Sequence, residues 1–296
     1  MAVKARKQPV TKPAGAAKPV RSELMGAGAA VAAKPVRSEL MGGLAKGLQV
    51  ILAFDREHPS MTLSQVAARA GLAPAVARRC LLTLEQLGYV VRAGRLHALS
   101  VRVLALGAAY RESVNVDGLT RDYLEDLARA TQDSAALCVL DGDEVVYVAR
   151  ASVRTVMRLE AHVGTRYPAY CTSVGRVLLA GLPAAAQERY FRQLKPRALT
   201  DRTVTDLPTL RRLVAQCGKQ GWSAVEDELD YGVAAVAVPV FDSSGRVVAA
   251  LNSSGHSRRS SARQLARERL PLLRKTSARI TQELAQGAGL SLGSVS

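Results

Sequence analysis

The 296-residue chain reads as an α+β protein: an N-terminal winged helix-turn-helix, a helical linker, and a C-terminal α+β domain. Three observations predict this. Between Thr62 and Leu99, apolar residues at helical spacing are interrupted by one turn and followed by a short hairpin. From Ser134 the texture changes to apolar runs of strand length bounded by turn residues. Those runs come in adjacent pairs with helical stretches inserted between pairs, so hairpins rather than a parallel α/β sheet are expected.

In chain order, residues 1–43 form a basic tail rich in Ala, Lys, Pro and Gly. The segment AAKPVRSELMG at 16–26 returns at 32–42. Each copy is too polar and Pro-broken to bury a core, so the tail is expected to be disordered. Residues 1–46 hold nine Lys and Arg against two Glu, a net +7 of the chain's +16. A pI near 10.2 suits a polyanionic partner, with nearly half the excess charge in the tail, where phosphate attraction would be non-specific and salt-dependent.

The DNA-binding unit is expected at 44–100. A first helix from about residue 44 to 57 carries Leu44, Leu48, Ile51 and Leu52 on one face. In the helix-turn-helix, Leu63, Val66, Ala67 and Ala70 share a face, Gly71 supplies the bend, and Pro74 opens the second helix, where its missing N–H costs nothing. Ala77, Leu81, Leu84 and Leu87 then mark the buried side, with Arg78 and Arg79 opposite. Gly88 ends that helix, and residues 89–91 and 96–99 flank the Ala93-Gly94 turn as a wing. Helix, turn, basic helix and basic wing in this order point to a double-stranded DNA major groove. The candidate contacts are Ala75, Val76, Arg78, Arg79 and Thr83 on the helix and Arg92 and Arg95 on the wing; His97 joins the wing residues as a phosphate contact. A plain helical hairpin with a flap is the competing reading.

A linker helix follows at 101–118, then a domain at 119–286 and a short tail at 287–296. A helix is expected over about 119–130, and the linker offers a dimer contact that would set two reading helices on half-sites about one DNA turn, or multiples of it, apart. SAALCVL and EVVYVAR are joined by the hairpin signal Asp141-Gly142-Asp143. RTVMRLE (154–160) alternates and reads as a third strand. Helices are expected at about 172–180, 183–194 and 207–220, strands at 233–241 and 245–254, and a closing amphipathic helix at about 261–285.

In this order the chain resembles the IclR family of bacterial transcription regulators. The resemblance runs from about residue 44 to 284 and is carried by LDGDEVVYVAR (140–150), VGTRYPAYCTSVGRVLLAGL (163–182), ALTDRTVTD (198–206), EDELDYGVAAVAVPV (226–240) and GRVVAALNSS (245–254). It implies a GAF-like C-terminal domain that binds a small organic acid, and operator binding as a dimer or dimer of dimers. The YPAYCTSVGR and ELDYG versions are most similar to the branch controlling aromatic-acid breakdown, the protocatechuate and 4-hydroxybenzoate regulators. One departure touches the reading helix: Ala73 and Val76 stand where the family usually has Ser or Thr. Ala73 cannot cap, and Val76 offers at most a methyl contact to thymine.

A carboxylate effector, aromatic or dicarboxylic, needs positive potential and donors in a mostly apolar pocket. Cys171-Thr172-Ser173 opens a helix whose free N–H groups suit an anion, although Thr172 or Ser173 could equally be an ordinary cap. Arg158, between apolar Met157 and Leu159, could pair with a carboxylate, or equally with Glu160. Asn252 and Ser254 share a strand face, and the resemblance places that face in the effector site. Tyr170 and Val174, in the same motif as Thr172, complete the candidate set; Arg176 reads more readily as a structural salt bridge.

No catalytic residue, cofactor or metal site is expected. Cys171 has no sequence-near His, and the four His have no metal-ligand spacing. Cys80, Cys138, Cys171 and Cys217 are too scattered for a disulfide framework, and no signal peptide or membrane span is read. The expected compartment is the cytoplasm. The rival reading is an architectural, sequence-tolerant DNA-binding protein with a basic tail, which would leave the second domain without a use.

Overall fold

The computed structural model describes residues 41–114, 116–153 and 161–286. The N-terminal unit contains α1 (Gly42–Leu52), β1 (Ser60–Thr62), α2 (Leu63–Arg69), α3 (Pro74–Gln86), β2 (Val90–Ala93) and β3 (Leu96–Leu99). Thr62 starts α2 through a reciprocal capping box: its hydroxyl accepts from the Gln65 amide at 3.4 Å, and the Gln65 side chain accepts from the Thr62 amide at 2.8 Å. Gly71 turns the chain at φ +64°. Ala73 makes no side-chain cap to α3, which begins with Pro74. The wing is a three-stranded antiparallel sheet in the order β1-β3-β2, so β1 adds a strand that the local pattern does not reveal. Val50, Met61, Val66, Leu81, Leu84 and Val90 form the core.

Two expectations here are corrected. The first helix stops at Leu52 rather than near residue 57, and its leucines face outward: Leu44, Leu48 and Leu52 are 63%, 47% and 80% exposed, while Val50 is fully buried. At 100° per residue Val50 lies nearly opposite the leucine stripe, so helical period marks two apolar sides and packing selects one. Leu87 is also exposed, because α3 ends one residue before it.

A 3₁₀ turn (Val101–Val103) leads into α4 (Leu104–Val114) and α5 (Val116–Thr131). The C-terminal unit adds β4 (Ser134–Asp141), β5 (Glu144–Ser152), β6 (Arg166–Pro168), α6 (Ser173–Ala180), α7 (Ala184–Gln193), α8 (Leu207–Gln220), β7 (Ser223–Glu226), β8 (Val233–Phe241), β9 (Val247–His256) and α9 (Ala262–Gln286). Six strands form one antiparallel sheet in the order β6-β5-β4-β9-β8-β7. Period two sorts each strand between two cores. Ala135, Leu137 and Val139 of β4 join Leu124 and Leu127 of α5 and Leu265, Leu273 and Ile280 of α9. Ala136 and Cys138 face the other way, toward Val174, Val177, Phe191, Leu210 and Val214 from α6, α7 and α8. Coverage on both faces explains why SAALCVL is uninterruptedly apolar. The short β6 and β7 lack a local signal, and the strand expected at 154–160 lies outside the described residues.

Candidate functional site

On α3, Ala75, Arg78, Arg79 and Thr83 are exposed and Val76 is half-buried. Ala77, Leu81 and Leu84 anchor the opposite side. Arg78 and Arg79 make no ion pair among the described residues, so both guanidinium groups face solvent uncommitted. The Thr83 hydroxyl donates to the Arg79 carbonyl at 3.0 Å, which leaves it only acceptor capacity. On the wing, Arg92 Nε donates to the Gly94 carbonyl at 2.9 Å and Arg95 is exposed at the turn. His97 does not belong to this surface: it is 9% exposed on β3, opposite Met61 and Arg92, and its Nδ1 has no partner among the described residues.

The second site is a cleft between the α6 face of the large sheet and the start of α6. Its floor follows from strand register. Arg150, Ala136, Asn252 and Ala237 stand opposite one another on β5, β4, β9 and β8. The next row on the same face is Ser152, Ser134, Ser254 and Ala235, and the row on the other side begins with Tyr147 and Cys138. Val174, Val225, Leu229 and Val233 wall the cleft, which holds about 560 Å³ of empty space, part of it open to solvent.

Arg150 is the one formal charge among the described lining residues. It donates to Ser134 Oγ at 2.9 Å and reaches Ser152 Oγ at 3.4 Å, with no carboxylate partner among the described residues. Ser173 Oγ and Asn252 Oδ1, in side chains 1% and 2% exposed, have no hydrogen-bond partner there either. Such groups are costly to bury empty-handed. At the α6 N-terminus the Thr172 hydroxyl accepts from the Gly175 amide at 3.1 Å. Thr172 is therefore the cap, and Ser173 is left to face the cleft. The Ser173 and Val174 amides, first in the helix, have no acceptor among the described residues, which makes this end attractive to an anion.

The remaining candidates separate cleanly. Tyr170 is buried outside the cleft, its hydroxyl donating to the Arg197 carbonyl at 2.7 Å and accepting from the Arg197 amide at 3.1 Å. Arg176 is structural as expected, bonding Glu228 at 2.6 Å and the Tyr170 carbonyl at 3.1 Å. Arg158 lies outside the described residues. Ser134, Tyr147 and Arg150 line the cleft but escape a local reading; the one available signal was a cation inside the apolar run EVVYVAR. Burial pushes the Cys171 thiol up to about 12 and holds the Tyr147 phenol neutral. A protonated thiol is no nucleophile at neutral pH. The cleft is equipped to bind and hold rather than to react.

Two family profiles match: "IclR helix-turn-helix domain" over residues 43–94 and "Bacterial transcriptional regulator IclR C-terminal" over 108–282. Similar curated proteins include the "Pca regulon regulatory protein" of Pseudomonas putida, 38% identical over 81% of this chain and 83% of the relative. The "p-hydroxybenzoate hydroxylase transcriptional activator" of Acinetobacter baylyi is 34% identical over 79% of this chain and 88% of the relative. Among solved structures, an IclR homolog from Microbacterium hydrocarbonoxydans complexed with 4-hydroxybenzoate has a TM-score of 0.70 at 25% identity, covering 82% of this chain and 98% of that one.

Proposed function

Because the chain belongs to the IclR family of bacterial transcriptional regulators, we propose that it binds operator DNA through α3 and the wing and answers to a small aromatic acid in the cleft beside α6, controlling aromatic-compound breakdown in the cytoplasm. The observation that carries the effector role is the cleft itself: an Arg150 without a carboxylate partner among the described residues, two free helix-start amides, and unpartnered Ser173 and Asn252 within apolar walls. Ser254, Thr172 and Val174 line the same space. Arg150 supplies a cation to this cleft; Arg158, the cation the sequence offers, lies outside the described residues.

On DNA, Arg78 and Arg79 supply base or phosphate contacts, with Ala75, Val76 and Thr83 beside them and Arg92 and Arg95 on flanking phosphates. The outward stripe of Leu44, Leu48 and Leu52, and exposed Val101, Leu104 and Leu106 at the linker, support a homodimer or dimer of dimers. The acid then favours one arrangement of the assembly over another, and a coupling of roughly 1–3 kcal/mol suffices for regulation.

The test is a DNA-binding titration on the chain's own upstream region with 4-hydroxybenzoate, protocatechuate and succinate. Arg150→Ala is expected to abolish the response to the acid and spare DNA binding; Arg78→Ala does the reverse. If no acid changes affinity or footprint and binding ignores sequence, the regulator reading fails and a sequence-tolerant DNA-binding protein takes its place.

A further inference from the structure

Resting on the DNA-binding role of the winged unit, we infer that the outer face of α9 is a second contact for the DNA phosphate backbone. The charge of the chain beyond its basic tail is concentrated there. Residues 47–256 hold twenty-four Lys and Arg against twenty-one Asp and Glu, whereas residues 257–286 hold eight against two. Thirty residues thus carry +6, and the 210 before them only +3.

Tertiary structure separates the committed cations from the free ones. Arg259 and Arg269 pair with Asp133, Arg269 at 2.5 Å. Arg263, Arg267, Arg274, Lys275 and Arg279 are exposed and make no ion pair among the described residues. Arg274 reaches the Gln220 carbonyl at 3.5 Å. Leu265, Leu273 and Ile280 bury the opposite side of α9 in the core it shares with β4 and α5. At about 100° per residue, Arg263, Arg267 and Arg274 fall within about 40° of one another, in a row about 16 Å long. Lys275 and Arg279 form a second row across the outward ridge, beside Glu268, the one exposed acid of the helix. Like charges four apart, as at Arg263 and Arg267 or Lys275 and Arg279, weaken a helix. A polyanion laid on this face relieves that repulsion.

The occupant follows from chemistry. A small acid engages one guanidinium or two, not a row of this length. A lipid surface needs apolar side chains to insert, and the ridge between the rows carries Gln264, Pro271 and Ala278. A DNA strand offers phosphates in series, and the winged unit brings DNA to this chain. Phosphate contacts on α9 add affinity without adding sequence preference.

The experiment is fluorescence anisotropy of the full chain on a duplex from its own upstream region and on an unrelated duplex, from about 50 to 200 mM salt. The natural protein is compared with Arg263→Gln/Arg267→Gln/Arg274→Gln. Loss of three phosphate contacts should flatten the slope of log affinity against log salt by roughly 2–3 and weaken low-salt binding at least roughly 10-fold. The preference between the two duplexes should change by less than about threefold. On the natural chain, DNA should shield Lys275 from acetylation and leave exposed Lys195, after α7, reactive. An unchanged slope in the variant, or a loss confined to the chain's own upstream duplex, overturns the inference. Equal labelling of Lys275 with and without DNA also overturns it, leaving the face to an acidic protein partner, and decides even if the variant fails to fold. Failure of the natural chain to bind either duplex overturns the DNA-binding reading along with it.

Discussion

Replacing Arg176 with Ala tests whether the cleft is held by the ion pair beneath it. Arg176 lies in α6, three residues after Ser173, and is 3% exposed. Its guanidinium bonds Glu228 at 2.6 Å, and its Nε bonds the Tyr170 carbonyl at 3.1 Å. Glu228, also buried, receives a weaker bond from the Val204 amide at 3.4 Å and directly precedes Leu229, which lines the cleft. The pair thus ties the helix that bears the anion-attracting amides to the loop that walls the same space. Removing the Arg leaves a buried carboxylate with one poor partner, a situation that costs about 3–5 kcal/mol. For a domain of this size, each kcal/mol lowers Tm by about 2–4 °C, so a fall of roughly 6–20 °C is expected. Trp222 is the chain's single tryptophan and packs against the core shared by α5 and α9, so its fluorescence reports unfolding of this domain. The double variant Arg176→Met/Glu228→Leu should regain most of the loss, since no lone charge remains buried. A loss below about 1 kcal/mol in the single variant, or no recovery in the double, would refute the reasoning.

Two further outcomes follow from the same neighbourhood. A Cβ on Gly175 would collide with the backbone carbonyl of Ala169, which sits in a 3₁₀ turn (Ala169–Cys171) and cannot swing aside, so Gly175→Ala should lower stability by about 1–3 kcal/mol in the same fluorescence melt, whereas an unchanged Tm would mean that turn gives way. Cys171 is buried with its thiol raised to about 12, so at pH 8 peptide mass spectrometry should find it labelled by iodoacetamide far more slowly than half-exposed Cys80; equal rates would disprove the burial.

Much of the architecture was legible because it depends on neighbours in the chain. Gly71, Gly88, Gly94 and Gly142 all turn the backbone at positive φ where punctuation was read. The helix at Leu207–Gln220 and the strand at Val233–Phe241 match their expected limits. The failures share a cause. The leucines of α1 announced a face but not its direction, because an amphipathic period cannot say which side meets the core. His97 reads as a wing phosphate contact beside Arg92 and Arg95, yet period two on β3 turns it inward.

The functional residues divide along the same line. Helix, turn, basic helix and wing are local features, and by themselves they determined the helix-turn-helix unit and the outward face of α3 that carries Arg78 and Arg79. Motif order determined the family. Only tertiary structure decided how the cleft is furnished. Arg150 and Asn252 are about a hundred residues apart in the chain, and they fall in one row across Ala136 because β4 inserts between β5 and β9. Thr172 and Ser173 were interchangeable as text. The extended backbone of Thr172, at φ −120° and ψ 148°, made it the cap, and the helix starting at Ser173 left the second hydroxyl lining the cleft. Periodicity is a property of a segment; a binding site is a property of register between segments.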